Sequence, residues 1–126
     1  MGGKHVTKTV LIIDDHRGIR LLLEEIIRNE GYHAKSFEDG ISAIAEIENN
    51  QPDLIIIDQQ LPIKSGTEII ELLEEKGYEI PTIIMSGLIE SVKLTAEKLK
   101  TVKAYFSKPF NIVEAKNTIN QLLENN

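Results

Sequence analysis

The residues best suited to take part in a reaction carry three carboxylates, a hydroxyl and an ammonium group. Each stands at the end of a short apolar run, and the set consists of Asp14, Asp15, Asp58, Ser86 and Lys108. Three carboxylates held close together repel one another and favour protonation unless a cation neutralises them. Lys108 supplies one positive charge, and a divalent metal ion would supply two more. Oxygen ligands favour Mg²⁺ over zinc, with Mn²⁺ able to substitute.

Asp58 is the candidate nucleophile of this set. Mg²⁺ in proteins binds through one or two carboxylates together with phosphate oxygens, so an oxygen of Asp58 would remain free to attack phosphorus. Carboxylates form acyl phosphates in this way. Ser86 and Lys108 would lie around the phosphoryl oxygens, where positioning and charge neutralisation provide most of the catalysis. The residue types therefore predict that Asp58 accepts a phosphoryl group.

Taken singly, each of these residues has an ordinary structural explanation. An Asp or Ser after a strand commonly forms a turn or caps a helix, and the pair Asp14-Asp15 could merely cap the first helix. Lys108, which precedes Pro109, could be an ordinary loop residue. The functional interpretation is favoured because all five groups fall at one predicted edge of a sheet.

That edge depends on strands and helices that alternate along the chain. Runs typical of strands occupy residues 10–13, 33–37, 54–57, 82–85 and 104–107. Stripes of helical periodicity cover residues 18–27, 41–47, 67–76, 90–99 and 112–122. Ser65 with Glu68 and Asn111 with Glu114 have capping-box spacing. Glycines at positions 31 and 77 predict the ends of the first and third helices.

Apolar strands separated by helices indicate a parallel sheet covered on both faces. Right-handed crossovers between such strands lead to a doubly wound α/β fold. Folds of this kind bind ligands beyond the carboxyl ends of the strands, where the strand order reverses. Neighbouring strands lie about 4.8 Å apart, so carboxylates that follow adjacent strands can converge on one ion.

The composition and the absence of certain motifs reduce the number of possible functions. The chain has 126 residues, enough for one domain with a core, and a formal net charge of −6 that argues against nonspecific nucleic-acid binding. It lacks cysteine, which excludes disulfides and zinc–thiolate sites. No export signal and no membrane-length apolar run are visible, so we expect a cytoplasmic protein. P-loop and dinucleotide glycine motifs are missing, and Gln60 replaces the second aspartate of haloacid-dehalogenase phosphatases.

Together these residues resemble the receiver domain of bacterial two-component response regulators. The resemblance extends from about residue 9 to residue 123, and its motifs are Asp14-Asp15, Asp58, Leu61-Pro62 with Gly66, Ser86 and Lys108-Pro109-Phe110. It implies a flavodoxin-like (βα)5 fold whose parallel sheet has the order 2-1-3-4-5. It also implies a single receiver domain at 9–124 without an output domain and a cis Lys108–Pro109 bond. We expect residues 1–8 to form a flexible tail.

The resemblance also implies roles for individual residues. Asp58 would take the phosphoryl group from a phosphohistidine on a sensor histidine kinase, in contact with Ser86 and Lys108. Tyr105 would act with Ser86 as the switch that reports phosphorylation. The residues expected to hold Mg²⁺ are Asp14, partly through water, Asp15, Asp58 and the backbone carbonyl of Gln60. The residues expected to recognise partners are Arg17, Gly18, Ile19, Leu88, Pro109 and Phe110.

The stretch from Asp14 to Arg20, followed by Leu22-Leu23, is most similar to the stand-alone phosphorelay intermediates that start sporulation. This similarity implies a phosphotransferase-like role, in which the phosphoryl group passes onward to a histidine phosphotransferase, with a phosphatase as a further partner. The alternative hypothesis is a binding module switched by phosphorylation. A third hypothesis is a degenerate scaffold that never accepts a phosphoryl group. We expect a monomer or weak dimer that binds neither nucleic acid nor membrane.

Structural positions can also be predicted for His16, Tyr105 and Phe106. His16 lies beside the acidic pair in the sequence, and we expect it to be a surface residue of the loop that starts the first helix. Tyr105 and Phe106 alternate along a strand, so they should point to opposite faces of the sheet. We expect Tyr105 to be the mobile one of the two.

Overall fold

The computed structural model describes residues 7–124, which form five strands and five helices. Most of the tail expected at residues 1–8 lies outside the described residues. The strands are β1 (Thr9–Ile13), β2 (His33–Phe37), β3 (Leu54–Asp58), β4 (Thr82–Ser86) and β5 (Val102–Ser107). The helices are α1 (Arg17–Asn29), α2 (Gly40–Asn49), α3 (Gly66–Glu75), α4 (Ile89–Ala96) and α5 (Ile112–Glu124).

All the strands are parallel, and they form one sheet in the order β2-β1-β3-β4-β5. The predicted fold and strand order are therefore confirmed. The strand order reverses between β1 and β3, which is where a doubly wound sheet carries its ligand site. Within residues 7–124, no helix is both long and apolar enough to cross a membrane.

The sheet separates two hydrophobic layers because alternate residues of each strand point to opposite faces. In β1, Leu11 and Ile13 pack with buried residues of α2, α3 and α4, whereas Val10 and Ile12 pack with α1 and α5. β3 and the apolar part of β4 are fully buried, as continuous apolar runs predict for central strands. Because these strands are buried, their ends have fixed positions in the sheet, and so do the residues that follow them.

The ends of the helices agree with the sequence where local signals are strong. Ser65 and Glu68 form the predicted capping box at the start of α3. Gly31 and Gly77, which follow α1 and α3, have φ values of 92° and 91°, a conformation that favours glycine. At α5, Asn111 accepts a hydrogen bond from the backbone N–H of Glu114 at 2.9 Å.

The predicted end of α4 was wrong by three residues, and the predicted start of β5 was wrong by two. α4 ends at Ala96 rather than at residue 99, and β5 begins at Val102 rather than at residue 104. The backbone N–H of Leu99 donates to Ala96 in a tight turn, which keeps Leu99 buried without extending the helix. The carboxylate of Glu74 accepts hydrogen bonds from the N–H and the hydroxyl of Thr101, at 2.9 and 2.6 Å, and fixes the entry into β5.

Candidate functional site

The ends of four strands, β1, β3, β4 and β5, bring the predicted site residues to one edge of the sheet. Ile13 in β1 pairs with Ile57 in β3, so Asp14 and Asp58 follow at the same level. Asp58 in turn pairs with Met85 of β4, directly before Ser86. The backbone N–H of Lys108 donates to the carbonyl of Ser86 at 2.9 Å, which holds the end of β5 against that of β4. The Lys108–Pro109 peptide bond is cis, as the resemblance implied.

Lys108 connects two of the carboxylates. Its Nζ lies 2.8 Å from Asp14 Oδ2 and 3.2 Å from Asp58 Oδ2. Asp14 is fully buried and Asp58 is 2% exposed, whereas the side chain of Asp15 is 42% exposed. A buried carboxylate pair is tolerated only with hydrogen-bonded charge compensation, which Lys108 provides in part. The structure thus brings Asp14, Asp58 and Lys108 into direct contact and leaves Asp15 at the open side of the site.

The surroundings of Asp58 disfavour its charged form. Burial raises the pKa of Asp58, and the neighbouring charge of Asp14 raises it further. The charge and hydrogen bond of Lys108 and a backbone hydrogen bond from Gln60 oppose these effects, but the net direction is upward. For Lys108, burial would lower the pKa, and the two carboxylates more than offset that effect and raise it.

Ser86 is 3% exposed, and its hydroxyl faces the start of α4. The Ser86 Oγ accepts a hydrogen bond from the backbone N–H of Leu88 at 2.9 Å. Because that contact uses a lone pair of the oxygen, the hydroxyl proton remains available for an acceptor in the site. The side chain of Ser86 is therefore coupled to the backbone where β4 leads into α4.

The loop after Asp58 is held by contacts that sequence reasoning missed. The side chain of Gln59 accepts from the backbone N–H of Thr67 at 2.9 Å and donates to its hydroxyl at 3.2 Å. A Cβ on Gly66 would lie 2.6 Å from the backbone carbonyl of Asp58, so α3 begins in close contact with the end of β3. Through these two hydrogen bonds, Gln59 connects the start of α3 to the end of β3, which carries Asp58.

His16 is the second residue whose position sequence reasoning missed. Its side chain is 68% exposed, as expected, but the ring turns toward the acidic pair. Nδ1 lies 3.2 Å from Asp14 Oδ1 and 3.3 Å from Asp15 Oδ1. The only available signal was its position directly after Asp15, and that position does not fix where a ring points.

The donor set of this edge fits a divalent cation. Asp14, Asp15, His16 and Asp58 each offer one ligand atom, and these atoms lie within 4.8 Å of one another. The ammonium of Lys108 balances one of the three carboxylate charges. Burial first, and then the charge of Asp14, raise the pKa of Asp58. Carboxylate oxygens are the ligands that Mg²⁺ prefers. A cation at this position would relieve the repulsion between buried carboxylates.

Tyr105 and Phe106 point to opposite sides of the sheet, as their alternation predicted. Phe106 is buried in the layer with α1 and α5, and its ring lies 5.8 Å from that of Phe110. Tyr105 is partly buried on the other side, where the Nζ of Lys93 lies 5.6 Å from the centre of its ring. Tyr105 thus stands at the boundary between β5 and α4, while Phe106 is a core residue.

The residues expected to recognise partners divide between three places. A groove of about 440 Å³ beside Lys108 is lined by His16, Ile19, Leu22, Lys108, Pro109 and Phe110. Arg17 and Gly18 are exposed in the first turn of α1. Leu88 is 63% exposed and directly precedes α4. The structure therefore brings Ile19, Pro109 and Phe110 together and keeps Leu88 outside this groove.

The fold and this site are those of a response regulator receiver domain. The family model described as "Response regulator receiver domain" matches residues 10–120, so the chain belongs to this family. It is 30% identical over 118 residues to sporulation initiation phosphotransferase F of Bacillus subtilis, covering 94% of this chain and 95% of that protein. The receiver domain of Francisella response regulator 1452 is 29% identical, with a TM-score of 0.84 over 94% of this chain and 98% of that structure.

Other relatives are longer than this chain. Response regulator MprA of Mycobacterium sp. (strain KMS) is 28% identical over 105 residues, which cover 83% of this chain but only 46% of MprA. The chain therefore spans about half the length of that relative. What it shares with MprA is the receiver portion, and the activity of the whole relative does not follow from the match.

Proposed function

We propose that the protein accepts a phosphoryl group on Asp58 from a sensor histidine kinase in the cytoplasm, with Mg²⁺ as cofactor, and relays it to a histidine phosphotransferase. One observation carries this proposal. The buried carboxylate of Asp58 lies 3.2 Å from the Nζ of Lys108 and beside the carboxylate of Asp14, at the strand ends where such folds hold ligands. This arrangement suits a nucleophile surrounded by groups that neutralise phosphoryl oxygens.

The chemical step would exchange one bond to phosphorus for another. A carboxylate oxygen of Asp58 attacks the phosphorus of the phosphohistidine, the P–N bond breaks, and its electron pair returns to the donor imidazole. Lys108 would stabilise charge on the phosphoryl oxygens, and the hydroxyl of Ser86 would donate a hydrogen bond to one of them. A bound Mg²⁺ would supply further charge neutralisation, held by Asp14, Asp15, Asp58 and the carbonyl of Gln60.

Support for onward transfer comes from the similarity to sporulation initiation phosphotransferase F. That relative matches this chain over 95% of its own length, and its name describes a phosphotransferase. In the onward transfer, a histidine nitrogen of the acceptor attacks the phosphorus of the acyl phosphate, and the Asp58 carboxylate leaves. The groove formed by Ile19, Pro109 and Phe110 lies beside Lys108 and offers the acceptor an apolar contact close to the phosphoryl group.

A second candidate is a binding module that phosphorylation switches. The observation that favours it is the surface next to the site on α4. Leu88 and Leu94 are 63% and 75% exposed, and Tyr105 lies at the edge of the same helix. Because the Ser86 hydroxyl contacts the backbone of Leu88, a phosphoryl group that recruits this hydroxyl would change the start of α4. A target protein could bind one arrangement of this surface in preference to the other.

The test is labelling by radioactive acetyl phosphate with Mg²⁺, followed by addition of a purified histidine phosphotransferase. Asp58→Asn should abolish labelling, whereas Asp53→Asn should keep it because Asp53 lies at the opposite end of β3, where its carboxylate accepts from the N–H of Thr9. Label that persists in Asp58→Asn would refute the site. Loss of label from the protein with gain on the phosphotransferase supports the relay, and stable label without transfer supports the binding module.

A further inference from the structure

His16 directs a nitrogen atom toward the oxygen ligands of the proposed metal site. Its Nδ1 lies 3.2 Å from Asp14 Oδ1 and 3.3 Å from Asp15 Oδ1. Four ligand atoms lie within 4.8 Å of one another, one each from Asp14, Asp15, His16 and Asp58. A metal ion bound between the carboxylates would therefore have an imidazole within reach as well.

The start of α1 holds the backbone of His16 in this position. Its N–H donates to Asp14 Oδ1 at 2.8 Å, and its carbonyl accepts the N–H of Arg20 at 3.1 Å. His16 is the N-cap residue of α1, yet its side chain makes no capping hydrogen bond to the helix. Arg20 also donates through its guanidinium to the backbone carbonyl of Asp14 at 2.8 Å, which ties the acidic pair to the same turn. The ring is thus free of a helix-capping role and stays on the side of the carboxylates.

An imidazole changes which ions such a site prefers. Carboxylate and water ligands suit Mg²⁺, whereas imidazole suits transition ions, whose affinity rises from Mn²⁺ through Co²⁺ and Ni²⁺. We propose that His16 supplies a nitrogen ligand to the metal site, and that this ligand shifts the preference of the site from Mg²⁺ toward divalent first-row transition ions. This inference rests on the metal site of the proposed function.

The direct test is pulsed electron paramagnetic resonance of Mn²⁺ bound to the whole protein. A coordinated imidazole produces nitrogen modulation of the Mn²⁺ echo, and we expect that modulation in the native protein and its loss in His16→Gln. The matched control is His33→Gln, because His33 is exposed at the start of β2, at the other end of the sheet. That variant should keep the modulation.

Calorimetric titration with Co²⁺ and Mg²⁺ provides the second measurement. We expect the ratio of Co²⁺ to Mg²⁺ affinity to fall about tenfold in His16→Gln and to stay unchanged in His33→Gln. His16 is mostly exposed, so the variant should fold, and His16→Ala repeats the test without an amide oxygen that could replace the nitrogen.

The outcomes separate this inference from the proposed function. Binding of Mn²⁺ without nitrogen modulation, or an equal affinity ratio in the native protein and His16→Gln, would overturn the role of His16 while leaving the carboxylate site intact. Failure of every divalent ion to bind would overturn the metal site itself. Labelling of Asp58 in Mg²⁺ together with absent nitrogen modulation would support the proposed function and reject this inference alone.

Discussion

Asp58 is held in a protein environment that disfavours its charged form. Burial first, and then the charge of Asp14, raise its pKa above the ordinary value of 3.8, although Lys108 opposes both effects. The unfolded chain releases this proton near 3.8, while the folded chain retains it to higher pH. Above that value the unfolded state therefore binds fewer protons, and the contribution of Asp58 to stability decreases as the pH rises through the folded pKa.

This linkage predicts that Asp58→Asn increases the free energy of unfolding at pH 7 without added metal. Urea unfolding of both proteins at pH 4 and at pH 7 measures the effect, and the advantage of the variant should be larger at pH 7. Asp53→Asn, made at an exposed residue of the same type, serves as the control. An advantage of Asp58→Asn that is equal at both pH values would contradict the electrostatic explanation.

Ile63 carries backbone strain at the surface of the loop after Asp58. Its φ is 72°, in the left-handed region that β-branched residues rarely adopt, and its side chain is 86% exposed. Burial of the side chain therefore offsets little of the conformational cost. Nothing in the local sequence identified this residue as strained, because no glycine or asparagine stands at this position to indicate a left-handed conformation.

Relief of that strain should stabilise the protein. Ile63→Gly is expected to raise the free energy of unfolding by about 1 kcal/mol, since the left-handed conformation costs a non-glycine residue roughly 1–2 kcal/mol. The same substitution at Ile41, which is 62% exposed in the regular helix α2, should lower it by a similar amount. Denaturant midpoints of the two variants measure both values, and a loss of stability in both would show that Ile63 is not strained.

At the scale of secondary structure, α3 is fixed to β3 through its first residue. A Cβ on Gly66 would meet the backbone carbonyl of Asp58 at 2.6 Å, and a backbone atom cannot move away as a flexible side chain can. We predict that Gly66→Ala destabilises the protein by about 2 kcal/mol through overpacking, and that it weakens Mg²⁺ binding because the end of β3 shifts.

Gly18→Ala in α1 is the control for Gly66→Ala. A Cβ there meets nothing within 4 Å, so Gly18→Ala should stabilise α1 by about 0.5–1 kcal/mol. Thermal and urea unfolding measure stability, and calorimetry measures Mg²⁺ affinity. Equal effects of the two substitutions would show that the close approach at Gly66 has no structural consequence.

The elements were predictable where a pattern within a few residues determines them. Buried β-branched runs identified β1, β3 and β4, and the Ser65–Glu68 capping box identified the start of α3. The start of β5 was not predictable, because the contact between Glu74 and Thr101 joins residues far apart in the chain. For the same reason the sequence identified the carboxylates of the site but not the direction of the His16 ring.

At the scale of the whole molecule, the strand ends place carboxylates together before any ligand supplies the compensating charge. The two hydrophobic layers hold β1 and β3 side by side, so Asp14 and Asp58 cannot separate without disruption of the core. Folding therefore retains the repulsion between these carboxylates, and a cation that binds only the folded chain should stabilise the whole domain.

We accordingly predict that Mg²⁺ raises the free energy of unfolding by about 1.4 kcal/mol at a concentration ten times its dissociation constant. Urea unfolding at increasing Mg²⁺ measures this effect. NaCl at matched ionic strength is the control, because the chain has a formal net charge of −6 and any salt screens its self-repulsion. Asp15→Asn removes an exposed ligand without a new cavity, so it should reduce the Mg²⁺ effect and leave the NaCl effect in place. If NaCl stabilised the protein as strongly as Mg²⁺, the gain would come from screening, and the carboxylates would hold no specific ion.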